Sequence, residues 1–155
     1  MKALAVVMGA LGAEGALCAL ALVVGAGASG SASFQWREVA ISERNACLPI
    51  AFTLAAQNRG LQGARRVVRP MVFAYSPPAT PSFWMNDTPA ALSGVWVGSS
   101  GRVIGYWHGR AESTQLHPAP APVRAVIEYP DGAHVPSVGS PVRIGAPCAT
   151  KDGRL

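Results

Sequence analysis

The strongest constraint on what this chain can fold into lies in residues 92–108, where LSGVWV and VIGYWH flank the loop GSSG and Arg102. Two strand-length runs joined through four loop residues with glycine at both ends predict a β-hairpin. Each arm carries large apolar side chains at successive positions, Val95, Trp96 and Val97 on one and Val103, Ile104, Tyr106 and Trp107 on the other. Neighbouring residues of a strand point to opposite faces, so both faces of this hairpin are apolar. Such a ribbon belongs between two layers of protein rather than on a wet surface.

The remaining segments agree with a mainly β chain. Seventeen glycines and 13 prolines in 155 residues predict many turns and few long helices. SFQWREVAIS, residues 33–42, alternates as a first strand; residues 50–52 form a short second one. Residues 54–61 are the one convincing helix, with Thr53 as N-cap and Gly60 or Gly63 as the stop. Further strands are predicted at 71–75, ended by Pro77-Pro78, at 82–85, at 123–129 and at 141–144, with the Pro-rich segment HPAPAP as an extended connection. About eight short strands with no alternation of strand and helix describe a single sandwich or barrel. An apolar fraction of 50% with 14% charged residues excludes a disordered chain.

Ahead of this domain, residues 1–32 read as a leader. Lys2 is followed by Ala, Leu, Val, Gly and Met and then by GAGASGSAS, the order of a secretory signal peptide cut after Ala28 or Ala32. Glu14 disfavours a membrane span, because a carboxylate in mid-span costs about 2.5 to 3.5 kcal/mol on insertion scales. The expected location is therefore outside the cytoplasm, secreted or at the cell envelope, with a membrane anchor formed by residues 3–28 as the alternative. Residues 33–155 make up the β-rich domain. Without Cys18 of the leader two cysteines remain, Cys47 and Cys148, and an even count in an exported chain reads as a disulfide. Two buried thiols are the alternative.

The formal charge of +5 belongs to the domain, since the leader carries only Lys2 and Glu14. Arg65, Arg66 and Arg69 cluster, but Arg37, Arg44, Arg59, Arg102, Arg110, Arg124 and Arg143 are scattered one per element. That is a solvated face, not the basic stripe with interleaved aromatics of a nucleic-acid site. His108, His117 and His134 lack the tight spacing of metal ligands, and no phosphate loop is present, so neither metal nor cofactor is expected.

The order of Gly60-Leu61, PMVFAY, SFWMNDTPAAL, VWVGSSGRVIG and AVIEYPDGAHVPSVGSPVRI along residues 50–144 resembles the bacterial and archaeal family catalogued as domain of unknown function 192. Trp84-Met85 with Glu128 downstream is the most specific part of the likeness. The resemblance implies a compact, mainly β, jelly-roll-like domain, frequently exported and without an established biochemical function. Where the family pattern has a Met after Gly-Leu and a Lys-Asn-Thr step, this chain has Gln62 and Asn86-Asp87-Thr88; two acidic positions of the pattern are Ser93 and Ser140. The loss of two carboxylates favours a structural use of the motif over a catalytic one.

Candidate site residues concentrate in the same stretches. Trp84, Trp96, Trp107 and Tyr106 either line a groove for a flat ligand or fill the interior between layers, and the alternating positions favour the interior. Asp87 and Glu128 either form an acid and base pair or act structurally, with Glu128 paired to an arginine such as Arg102 or Arg124. No Gly-x-Ser-x-Gly elbow or Cys/His signature points to a nucleophile. Asn86-Asp87-Thr88 is also a glycosylation sequon, although Pro89 and the nearby Trp84 suit a buried turn better. The functional expectation is an exported, disulfide-closed domain without enzymatic activity. It would bind an envelope ligand or protein partner through Trp84, Asp87, His108 and Glu128 at the mouth of the sheet. Two other classes stand beside it: an envelope polysaccharide hydrolase using Asp87 and Glu128, and a structural subunit assembling by strand addition.

Overall fold

A computed structural model describes residues 33–149; the leader reading, cleavage site included, lies outside the described residues. The first two predicted strands form a hairpin, β1 (Gln35–Ile41) and β2 (Arg44–Ala51), the second beginning earlier than expected, with a turn at Ser42, whose φ of 55° is left-handed. The helix α1 (Leu54–Arg59) starts where expected, with Thr53 Oγ1 accepting the Ala56 N–H at 3.1 Å. It stops at Gly60, which has φ 45° and donates its N–H to the Ala56 carbonyl. Next comes β3 (Met71–Ala79), pairing with β2 in parallel through Ile50↔Val72 and Ala51↔Phe73. β2, α1 and β3 are thus one strand–helix–strand unit that the absence of a repeating rhythm concealed. β3 also continues past the two prolines, with an irregularity between Ala74 and Ala79 where they cannot donate to the ladder.

The predicted hairpin forms as β5 (Leu92–Gly98) and β6 (Val103–Gly109), and β5 pairs on its other side with β8 (Val123–Pro130). Between them β4 (Ser82–Phe83) and β7 (His117–Pro118) make a separate two-stranded ribbon, and β9 (Val142–Pro147) closes the described chain. The main sheet has seven strands in the order β6-β5-β8-β3-β2-β1-β9.

This corrects the sandwich or barrel expectation: there is one main sheet, and it does not close. Its two edge strands approach only at one end, through the bridge Arg102↔Pro141 and the bond from Val103 N–H to the Ser140 carbonyl at 3.0 Å. The Val142 N–H adds a bond to the Gly101 carbonyl at 2.7 Å, and from there β9 pairs with β1 through Val39↔Ile144 and Ile41↔Val142.

Only one arm of the two-faced hairpin lies between layers: β5 is buried on both faces, whereas the edge strand β6 exposes Tyr106 and His108. On one face of the sheet Val39, Ile50, Val72, Val95 and Ile127 form one core; on the other Met71, Phe73, Met85, Trp96, Trp107 and Val126 form a second. This second face is covered by Ala56 of α1 and by Leu61, Ala64 and Val67 of the segment after it. Adjacent residues Val95 and Trp96 divide between the two, as strand alternation requires. Full burial of side chains such as Ile50, Met71 and Met85 contributes about 1.5 to 3 kcal/mol each.

The Cys47–Cys148 disulfide is formed, with Cα atoms 6.0 Å apart across a sequence separation of 101. It ties β2 to the segment after β9, over β1, where the Cys148 N–H donates to the Trp36 carbonyl at 3.1 Å. Among the described residues no helix is long and apolar enough to cross a membrane.

Candidate functional site

Around Trp107 the second core is unusually polar. The indole lies across Gly94 of the neighbouring strand, where a Cβ would fall inside the ring's van der Waals envelope. His117 of β7 stacks on it, with centroids 4.8 Å apart and planes at 21°, and Phe83 of β4 packs beside it at 5.7 Å. Phe83 in turn meets Phe73 and Trp96 edge-on. Two nitrogens in this cluster, Trp107 Nε1 and His117 Nε2, are buried without a hydrogen-bond partner. Burial, then the charge of His108, moves the His117 pKa below the ordinary imidazole value.

Glu128 belongs to the same face. It stands opposite Gly94 in β5 and Met71 in β3 and is 4% exposed. Among the described residues no hydrogen bond or ion pair reaches its carboxyl, and burial raises its pKa from 4.5 to about 8. The expected partners go elsewhere: Arg102 donates to the Gly139 carbonyl at 2.8 Å, and Arg124 makes no ion pair among the described residues. Glu128 is therefore mostly protonated at neutral pH, a state suited to giving a proton rather than to attacking as an ionised nucleophile.

The four residues singled out in the sequence are spread over different surfaces. Asp87 sits exposed in the turn after β4 with φ 57°, its carboxylate accepting Asn86 Nδ2 at 2.9 Å and its carbonyl accepting the Gly63 N–H at 2.7 Å. The carboxylates of Asp87 and Glu128 are not hydrogen-bonded to each other. His108 is on the opposite face from Glu128, because its cross-strand partner Ser93 is itself opposite Tyr129. His108 Nδ1 lies 3.5 Å from Ser93 Oγ and 3.8 Å from Asp131 Oδ1 at an exposed edge. Trp84 is half-buried and outside the ring cluster, whereas Trp96 and Trp107 are core and Tyr106 is exposed, donating its hydroxyl to the Pro136 carbonyl at 2.9 Å. Thr88 of the sequon is buried, consistent with a packed turn.

A concavity that the sequence did not flag opens between the end of β3 and the β1–β9 pair. Its volume is about 360 Å³, and Arg37, Phe52, Tyr75, Arg124 and Ile144 line it. A second one, of about 350 Å³, lies beside the disulfide and includes Glu38. Among the described residues no group of three or more His, Cys, Asp or Glu side chains could hold a metal ion.

Comparison with known proteins gives a fold and a family. A protein of unknown function from Novosphingobium aromaticivorans DSM 12444 superposes with TM-score 0.63 at 24% identity, covering 83% of this chain and 93% of that one. A putative transcription regulator from Sinorhizobium meliloti 1021 superposes with TM-score 0.65 at 20% identity, covering 74% of this chain and 98% of that one. At such identities the likeness is one of fold alone. No curated protein matches the chain. The family model DUF192, described as an uncharacterized ACR, matches residues 37–137. Because that match spans most of the sheet, from β1 through β8, together with the Trp84-Met85 segment and Glu128, this chain belongs to the DUF192 family.

Proposed function

We propose that this chain is an exported cell-envelope domain that binds a ligand or partner and performs no catalysis on it. The observation that carries the reading is the concavity walled by Arg37, Arg124 and the exposed Phe52, which joins cationic to apolar lining. The Cys47–Cys148 bond supports an oxidising compartment. Hydrolysis of envelope polysaccharide fits less well. Its acid and base would be Asp87 and Glu128, and Glu128 is buried, 4% exposed, whereas Asp87 stands on an exposed turn.

The test is an intact mass of the protein purified from its native envelope, recorded under native and denaturing conditions, with and without reductant and alkylation. A chain beginning at Ser29 or Ser33, with both cysteines blocked until reduced and a small molecule lost on denaturation, is the expected result. A full-length chain with free thiols would overturn export.

A further inference from the structure

We propose that the Arg37–Arg124 concavity is a binding site for a small organic carboxylate carrying a flat apolar body. This site deepens the binding reading above and rests on it.

The curl of the sheet builds the site from segments far apart in sequence. Arg37 comes from β1, Phe52 from the residue after β2, Tyr75 from β3, Arg124 from β8 and Ile144 from β9. Arg37 is positioned over the Phe52 ring, with Cζ 5.3 Å from the centroid. Its Nη1 and Nη2 reach only neutral oxygens, the Gly145 carbonyl and Gln35 Oε1, both at a long 3.3 Å, and its Nε is buried without a partner. Arg124 has neither a hydrogen bond nor an ion pair among the described residues. Arg37 and Arg124 thus both line the concavity, and no acidic residue is among its lining residues. Glu38, the neighbour of Arg37 in β1, lines the other concavity.

Two cations on one wall favour an anion there, and the buried, unpartnered Nε of Arg37 leaves a donor for it to meet. Ser76, exposed at the rim, adds a hydroxyl that can donate or accept. A guanidinium presents two parallel N–H groups that match a carboxylate. Phe52, 39% exposed, and Ile144 offer an apolar wall on which a planar body can lie. The volume of about 360 Å³ falls at the small end of ligand sites, which suits a single ring with an acid group.

The test uses three probes on the full chain, followed by NMR: benzoate, the neutral and isosteric benzamide, and acetate, which has the charge without the ring. Benzoate is expected to saturate at millimolar concentration, shifting the Arg37 and Arg124 side-chain N–H signals and the Phe52 ring, with benzamide and acetate each at least about tenfold weaker. Arg37→Gln and Arg124→Gln should each weaken benzoate about tenfold while changing benzamide less than about twofold, and Arg124→Lys should recover part of the loss. Arg124 is exposed, so its variants report even if the Arg37 variant fails to fold. Equal binding of benzamide, shifts gathered at Trp107 and His117 instead, or an unchanged affinity in Arg124→Gln would overturn the site. If the native preparation holds a ligand elsewhere, this site fails and the binding reading stands. If benzoate follows the arginines in a chain that is not exported, the reverse holds.

Discussion

Replacing Glu128 by Gln should remove a pH-dependent weakness of the fold. In the native protein burial holds the Glu128 proton until about pH 8, whereas the unfolded chain releases it near 4.5. Between those values the native state binds more protons than the unfolded one, so raising the pH favours unfolding and stability falls. Below pH 4.5 both states are protonated and the penalty is absent. The gap of about 3.5 pH units, at about 1.4 kcal/mol each, gives a full penalty of about 5 kcal/mol above pH 8 and about 3 kcal/mol at pH 7. The amide of the Glu128→Gln variant is neutral throughout and nearly the same shape as the carboxyl it replaces. Urea unfolding of both proteins between pH 4.5 and 8.5, with the disulfide intact, should therefore show the variant gaining on the wild type by several kcal/mol as pH rises. His117 works in the opposite sense, its lowered pKa adding stability as pH rises toward 6.5, but it is common to both proteins and drops out of their difference. A difference that stays flat with pH would refute the buried, uncompensated carboxyl, whatever constant offset the amide introduces.

Two further outcomes follow from packing and connectivity. Gly94→Ala places a methyl group inside the Trp107 ring and should cost about 3 kcal/mol or more, with a changed near-ultraviolet tryptophan spectrum; a loss under about 1 kcal/mol would mean that the indole does not lie across this strand. Replacing Cys47 and Cys148 together by Ser removes a loop of about 100 residues, and denaturant unfolding should register a loss of up to about 5 kcal/mol in the chain-entropy model. No loss would place the bond outside the native fold.

What was legible in the sequence is what short-range chemistry dictates. The β5–β6 hairpin could be read because glycines bracket its loop, and the two buried faces of β5 because Val95, Trp96 and Val97 follow one another. Thr53 and Gly60 marked both helix ends. The start of β2 was hidden because Arg44, Asn45 and Ala46 are exposed and Pro49 interrupts the strand pattern, although Pro49 pairs with Trp36. The parallel β2–β3 pair was hidden because a six-residue helix is too short to suggest a crossover. Arginine pairing was expected for Glu128 from the general cost of buried charge; the sheet solves that cost by leaving the group protonated. The arginine concavity left no sequence signal at all, since its wall is assembled from five strands far apart in sequence.

The neighbourhood of β1 fixes an order of completion. Its two partners are β2, made at once, and β9, made last, in contacts such as Arg37↔Pro147. A nascent chain that stops short of Val142 therefore presents β1 as an open edge, although β2, β3, β5, β6 and β8 can already be paired. Pairing across that separation is slow, because a long loop must close before any contact rewards it. Between the end of β8 at Pro130 and the start of β9 at Val142 this protein is a sheet awaiting one more strand, and a copy cut short there offers its neighbours the very ladder that a finished one hides.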